Sequence, residues 1–208
     1  MAIPVLAVAA YANGPVKHAD LRVLLHLERE SGTGHALANL LVNLGDLPAL
    51  LILLGAVCWL GLRLGRRREV IVAVIVVAGA NLTTQLLKTL LEHVRYTANE
   101  HGYELPWPNS FPSGHTTAAA SIAVALLLVV PAMFRLRAAV AGLLLTAAVA
   151  LSVVVLSWHF PSDVLGALLV VGAWGFAALT YLRYRDDLRR EPSTQERRRP
   201  RGLAVSTE

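Results

Sequence analysis

Apolar positions in this chain run in long blocks, not in the alternation of a strand or the one-sided stripe of a surface helix. Five blocks, at about 37–62, 69–92, 114–133, 137–158 and 161–182, each reach the roughly 20 residues a helix needs to cross a hydrocarbon core. Each ends at charge, proline or a polar cluster: the Arg63–Arg68 run, the 92–109 loop, Pro131 to Arg137, and a basic tail. The pattern predicts an all-α protein, a polytopic transmembrane helical bundle of five clear spans. Residues 1–12 (MAIPVLAVAAYA) are a candidate short sixth, too short to cross comfortably and without the basic start of a signal peptide. Residues 19–30 put Leu21, Leu24 and Leu25 on one side with charge opposite, as suits a helix lying in the interface. The expected organisation is therefore an N-terminal partial span and interfacial segment over 1–36, a transmembrane core over 37–184, and a basic, disordered tail over 185–208.

Composition agrees with the blocks. Hydrophobic residues are 55% and charged residues 16% of 208 positions, against about 25% charged in a soluble domain. The single cysteine, Cys58, lies inside an apolar block and excludes a disulfide framework or a cysteine metal site. In a soluble protein the net charge of +5 would suggest nucleic acid. Here Lys and Arg fall between and after the apolar blocks, where they set topology, and no nucleic-acid partner is expected. The Arg63–Arg68 loop, the Arg135/Arg137 loop and the tail should face the cytoplasm of a cell membrane, with the tail against anionic lipid. Alternation then places the 92–113 loop and the 158–163 turn together on the non-cytoplasmic face.

Polar chemistry gathers on that face. Lys88 and Arg95 are seven residues apart, close to two helical turns, so both leave one helix face. Phe111-Pro112-Ser113-Gly114-His115 opens the next helix: proline fits a first turn, serine can cap, and the free N–H groups attract an anion. His159 and Asp163 stand four apart across the start of the last helix, with Ser152 seven residues before His159. Singly, each has an ordinary reading as a snorkelling lysine, a helix start or a structural hydrogen bond. At one membrane depth they suit metal-free phosphoryl transfer. Lys88, Arg95 and the amides near Ser113 and Gly114 would hold phosphate oxygens. His159 would attack, Asp163 would hold its other ring N–H, and His115 would protonate the leaving oxygen. No Asp/Glu/His cluster has metal-ligand spacing, so neither metal nor cofactor is expected.

Among other polar residues, Asn81, Thr83, Thr84 and Gln85 read first as interhelical hydrogen bonds, with support of Lys88 as the functional alternative. Asp46, with Pro48, either sits at the interface or faces the site and pairs with a cation.

These residues resemble the type 2 phosphatidic acid phosphatase superfamily, which includes bacterial lipid phosphatases and vanadium haloperoxidases. The family pattern is Lys-x6-Arg-Pro, Pro-Ser-Gly-His and Ser-Arg-x5-His-x3-Asp. This chain has Lys88-x6-Arg95 followed by Tyr96, then Pro112-Ser113-Gly114-His115, then Ser152-Val153-x5-His159-x3-Asp163. The resemblance covers residues 40–182 and implies a helical bundle, a phosphohistidine at His159 and acid–base work by His115. Asp163 would be the partner of His159, and Lys88, Arg95, Ser113, Gly114 and Ser152 would bind phosphate. A lipid phosphate or diphosphate is the expected substrate, polyprenyl diphosphate favoured, with membrane lipids as the other partners. Val153 stands where the family has a phosphate-binding arginine, a loss worth about 2–4 kcal/mol of transition-state stabilisation. It leaves open a non-hydrolytic relative that binds or transports phosphorylated lipid.

Overall fold

The computed structural model describes residues 16, 19–20, 22–23, 33–91 and 110–190. The described elements are all helical: α1 (Thr33–Val42), α2 (Leu47–Arg63), α3 (Arg67–Leu91), α4 (Gly114–Val129), α5 (Arg135–Val155) and α6 (Pro161–Arg190). Short 3-10 turns at Asn43–Gly45 and Ala132–Phe134 lead into α2 and α5. Residues 1–12, the 92–109 loop with Arg95, and the tail beyond 190 lie outside the described residues.

Helix α4 is the central post, packed against α2, α3, α5 and α6, while α1 lies on α5 and α3 on α6. Small residues make this possible: Ala118, Ala119, Ala120 and Ala125 of α4 are buried, and backbones approach closely there. The outward faces are apolar instead, with Ile52 at 72% and Leu90 at 77% exposure. The inward faces carry hydroxyls and amides that bond between helices. Thr84 Oγ1 meets Thr117 Oγ1 at 2.9 Å, Asn81 Nδ2 donates to Ser121 Oγ at 3.2 Å, and Trp174 Nε1 donates to Thr83 Oγ1 at 3.1 Å. Apolar groups outside and bonded polar groups inside are the arrangement hydrocarbon solvent demands, and the chain is a membrane protein.

The spans differ from the sequence pattern in three places. Among the described residues three helices are long and apolar enough to cross a membrane: Arg67–Leu91, Ala132–Val155 and Pro161–Arg189. The block expected as one span over 37–62 is two helices bent by 57°, which together pass as a fourth. Its break has a local cause: Gly45 ends the 3-10 turn, Asp46 is extended at φ −73° and ψ 158°, and Pro48 takes the first turn of α2. The block expected over 114–133 gives only the 16 residues of α4, because Val130 turns extended ahead of Pro131. At the other extreme α6 continues to Arg190, into the segment expected to be tail.

Opposite ends of the bundle are held by different chemistry. Arg66 donates to Glu69 and to the carbonyls of Val129 and Val130, closing the C-terminus of α4. Arg68 reaches Asp186 Oδ1 at 2.7 Å and the Leu182 carbonyl at 2.8 Å, tying the start of α3 to the far end of α6. Lys88, the start of α4 and the start of α6 therefore lie at the opposite end.

Candidate active site

The end of α5 builds the first part of the site. Ser157 is in the left-handed region at φ 55°, its N–H bonds the Val154 carbonyl, and the Trp158 N–H bonds the Val153 carbonyl at 2.9 Å. This is a Schellman termination with serine where glycine is commonest. The Val153 carbonyl also accepts the His159 N–H at 3.1 Å, so the turn delivers His159 from a fixed point of the backbone. Pro161 then starts α6, and Asp163 falls in its first turn.

His159 Nδ1 lies 3.1 Å from Asp163 Oδ2, which also accepts the Phe160 N–H at 3.0 Å. Both side chains are buried. A carboxylate held by a backbone donor and facing one ring nitrogen fixes both the imidazole tautomer and its orientation. Asp163 thus meets the ring at Nδ1, with Nε2 on the opposite edge of the imidazole.

The second part is the start of α4. Phe111 is fully buried, and a Cβ on Gly166 would lie 2.5 Å from its ring, so glycine at 166 lets the loop seat against α6. The Ser113 N–H donates to the Asp163 carbonyl at 3.0 Å, joining the starts of α4 and α6 directly. Ser113 Oγ caps α4 by accepting the Thr116 N–H at 3.3 Å. The amides of Gly114 and His115, first and second in the helix, have no earlier carbonyl within it to bond. Lys88 Nζ lies 3.8 Å from the position a Gly114 Cβ would take, so its ammonium sits over this helix start. The His115 ring is 6.4 Å from that of His159, edge-on, and 5.6 Å from that of Trp158.

Lys88, Gly114, His115, His159 and Asp163 are thus brought together from three helices and the turn between α5 and α6. Arg95 lies outside the described residues. Two predicted phosphate ligands are otherwise engaged: Ser113 through both its N–H and its hydroxyl, and Ser152, whose Oγ donates to the Ala148 carbonyl at 2.7 Å. Val153 is fully buried in an apolar cluster with Val42, Val154 and Phe160. Among the described residues no three His, Cys, Asp or Glu side chains converge as a metal-binding group.

Two acidic residues outside the predicted set touch this region. Asp46 Oδ1 is 3.1 Å from His115 Nε2. Its sequence signal was a carboxylate in a Gly-Asp-Leu-Pro interruption of an apolar block. Asp20 accepts the Ser162 N–H at 3.2 Å and the Ser162 hydroxyl at 2.6 Å, capping α6 from 142 residues away. Burial holds the Asp20 carboxyl above the usual carboxylate range, and the charge of Asp163 pushes the same way against the two Ser162 bonds. A raised acid favours the folded state at low pH and loses that advantage as pH rises through its folded pKa. Asp20→Asn, which keeps an acceptor oxygen without the charge, should melt at or above the wild type at neutral pH. The wild type should gain on it as pH falls, read from melting temperatures across acid and neutral buffers; parallel curves would mean that folding does not raise the Asp20 pKa.

No curated protein matches the chain. Its fold is similar to a crystal structure described as the first transmembrane PAP2 type phosphatidylglycerolphosphate phosphatase from Bacillus subtilis. The TM-score is 0.73 at 23% identity, covering 88% of this chain and 92% of that one, a likeness of fold. Residues 69–187, which hold Lys88, the start of α4 and the His159–Asp163 turn, match the model of the PAP2 superfamily. That match spans more than half of the 208 residues, and the chain belongs to the PAP2 superfamily.

Proposed function

We propose that this chain is a membrane phosphatase that hydrolyses a lipid phosphate or diphosphate through a phosphohistidine at the non-cytoplasmic face of the cell membrane. The observation that carries the reading is the buried His159–Asp163 pair facing His115 at a helix start. His159 Nε2 attacks phosphorus, the bond from phosphorus to the lipid oxygen breaks, and His115 gives that oxygen its proton. Water then attacks the phosphohistidine, His115 takes the proton, and the P–N bond breaks to release inorganic phosphate. Lys88, Arg95 and the Gly114 and His115 amides stabilise the transferring group without a metal. Ser113 and Ser152 join only if substrate draws their hydroxyls from their present partners. The basic ends of the helices support a cytoplasmic C-terminus and an outward site.

A second reading, a non-hydrolytic lipid-phosphate binder, is favoured by one observation, the uncharged Val153. Phosphate release from purified protein in detergent separates the two. Polyprenyl diphosphate, phosphatidylglycerol phosphate and phosphatidic acid form the panel, each with and without chelator. Release that is indifferent to chelator is expected, fastest with polyprenyl diphosphate. Binding of these lipids with no release would overturn the phosphatase reading.

A further inference from the structure

The geometry points to Asp46 as the positioning residue of His115, a role that rests on the phosphatase reading above. The bend between the first pair of helices carries this carboxylate to the His115 ring. A straight helix through 43–46 would keep Asp46 on its own surface, whereas the break turns the chain onto the start of α4. The approach is as close as glycine permits: a Cβ on Gly45 would lie 2.7 Å from the His115 Cβ and 2.9 Å from its Cα. Asp46 occupies the N-cap position of α2, yet its side chain makes no capping bond and instead faces His115 Nε2 at 3.1 Å. An aspartate at an N-cap ordinarily satisfies the helix it begins. Here it serves a ring 69 residues away.

Each histidine of the site thus has its own carboxylate: His159 through Nδ1 to Asp163, His115 through Nε2 to Asp46. The two bonds use opposite ring nitrogens. Asp46 keeps a proton on Nε2 of His115 and fixes the plane of the ring, which makes Nδ1 the nitrogen that exchanges a proton with the leaving lipid oxygen and with water. Proton balance is unchanged, because Asp46 only accepts a hydrogen bond. The His115 ring, 25% exposed, and the Asp46 side chain, 47% exposed, lie at the mouth of the site, where an unheld imidazole would sample several rotamers.

The test is Asp46→Ser, which retains a good N-cap for α2 but cannot reach the ring, assayed on the panel lipid the wild type hydrolyses fastest. We expect kcat to fall roughly 10- to 100-fold, less than the full contribution of a general acid, with KM unchanged. Asp46→Asn keeps an acceptor oxygen and should recover most of the rate. In a His115→Ala background Asp46→Ser should cost nothing further, because the two act as one unit. A purely structural Asp46 would lower the rate as much in that background as in the wild type, and would overturn the proposal. So would an Asp46→Ser protein turning over at the wild-type rate. Wild-type protein that releases phosphate from no lipid would instead sink the phosphatase reading, and this role with it.

Discussion

Exchanging His159 for alanine is expected to end phosphate release from lipid esters, lowering kcat by a factor on the order of 10^4 or more. The size follows from what is lost. No other described side chain near the His115 ring offers a neutral nitrogen fixed by a buried carboxylate, and the Asp163 carboxylate is better placed to hold a ring than to attack. Lys88 and the amides at the start of α4 would remain, so lipid phosphate should still bind with little change in affinity. The variant also leaves Asp163 Oδ2 with only the Phe160 N–H, at a cost of about 1–3 kcal/mol for an under-satisfied buried acceptor. A fall in melting temperature is therefore part of the prediction, and His159→Gln, which can offer a side-chain N–H to that acceptor, should melt closer to the wild type while staying inactive. Acid-labile label trapped from a phosphorylated substrate should appear on the wild type and be absent from both variants. Turnover by His159→Ala within tenfold of the wild type would place the nucleophile elsewhere.

How much of this could be read from the residues alone depends on range. His159 and Asp163 are four apart at a proline-marked helix start, and Ser113 precedes a helix it caps; both are local facts, and local spacing carries them. The same holds for Asn81, Thr83 and Thr84, whose polar atoms in an apolar helix had to find partners on neighbouring helices. The bend at Gly45–Asp46 was hidden because hydropathy is continuous across it; only the Gly-Asp-Leu-Pro run marks the place, and such a run alone does not say which way the chain turns. Contacts between distant segments leave no periodic trace. Asp46 on His115, Asp20 on Ser162 and the Ser113 N–H on the Asp163 carbonyl each join elements far apart in the chain, and tertiary packing is what decided them. Ser152 illustrates the converse. Its place in the family motif implied a phosphate ligand, while the competing bond to the carbonyl one turn back is available to any serine in a helix.

Placing an arginine at position 153, where the motif resemblance expects one, is the sharper test of the pocket, and Val153→Arg is expected to lose stability without gaining activity. From the motif alone the opposite would be natural, since an arginine there would complete the phosphate cradle. The packing argues otherwise. The Val153 side chain is fully buried in a cluster with Val42 from α1, Val154 and Phe160, and those apolar side chains offer a guanidinium no partner. Forcing extra atoms into such a site costs about 1–3 kcal/mol, and an uncompensated buried charge about 3–5 kcal/mol. At a few degrees per kcal/mol for a chain of this size, the melting temperature should fall on the order of 10 °C. The damage should reach the chemistry too, because the Val153 carbonyl holds the N–H groups of Trp158 and His159 and so sets where the nucleophile stands. Val153→Ile, which adds one methylene and no charge, separates the two costs: it should melt within a few degrees of the wild type and keep most of its rate. A Val153→Arg protein that melts with the wild type and hydrolyses lipid phosphate faster would mean that position 153 opens onto the phosphate. In that case α1 would have moved aside, and the apolar cluster would be a plug that substrate or charge can displace.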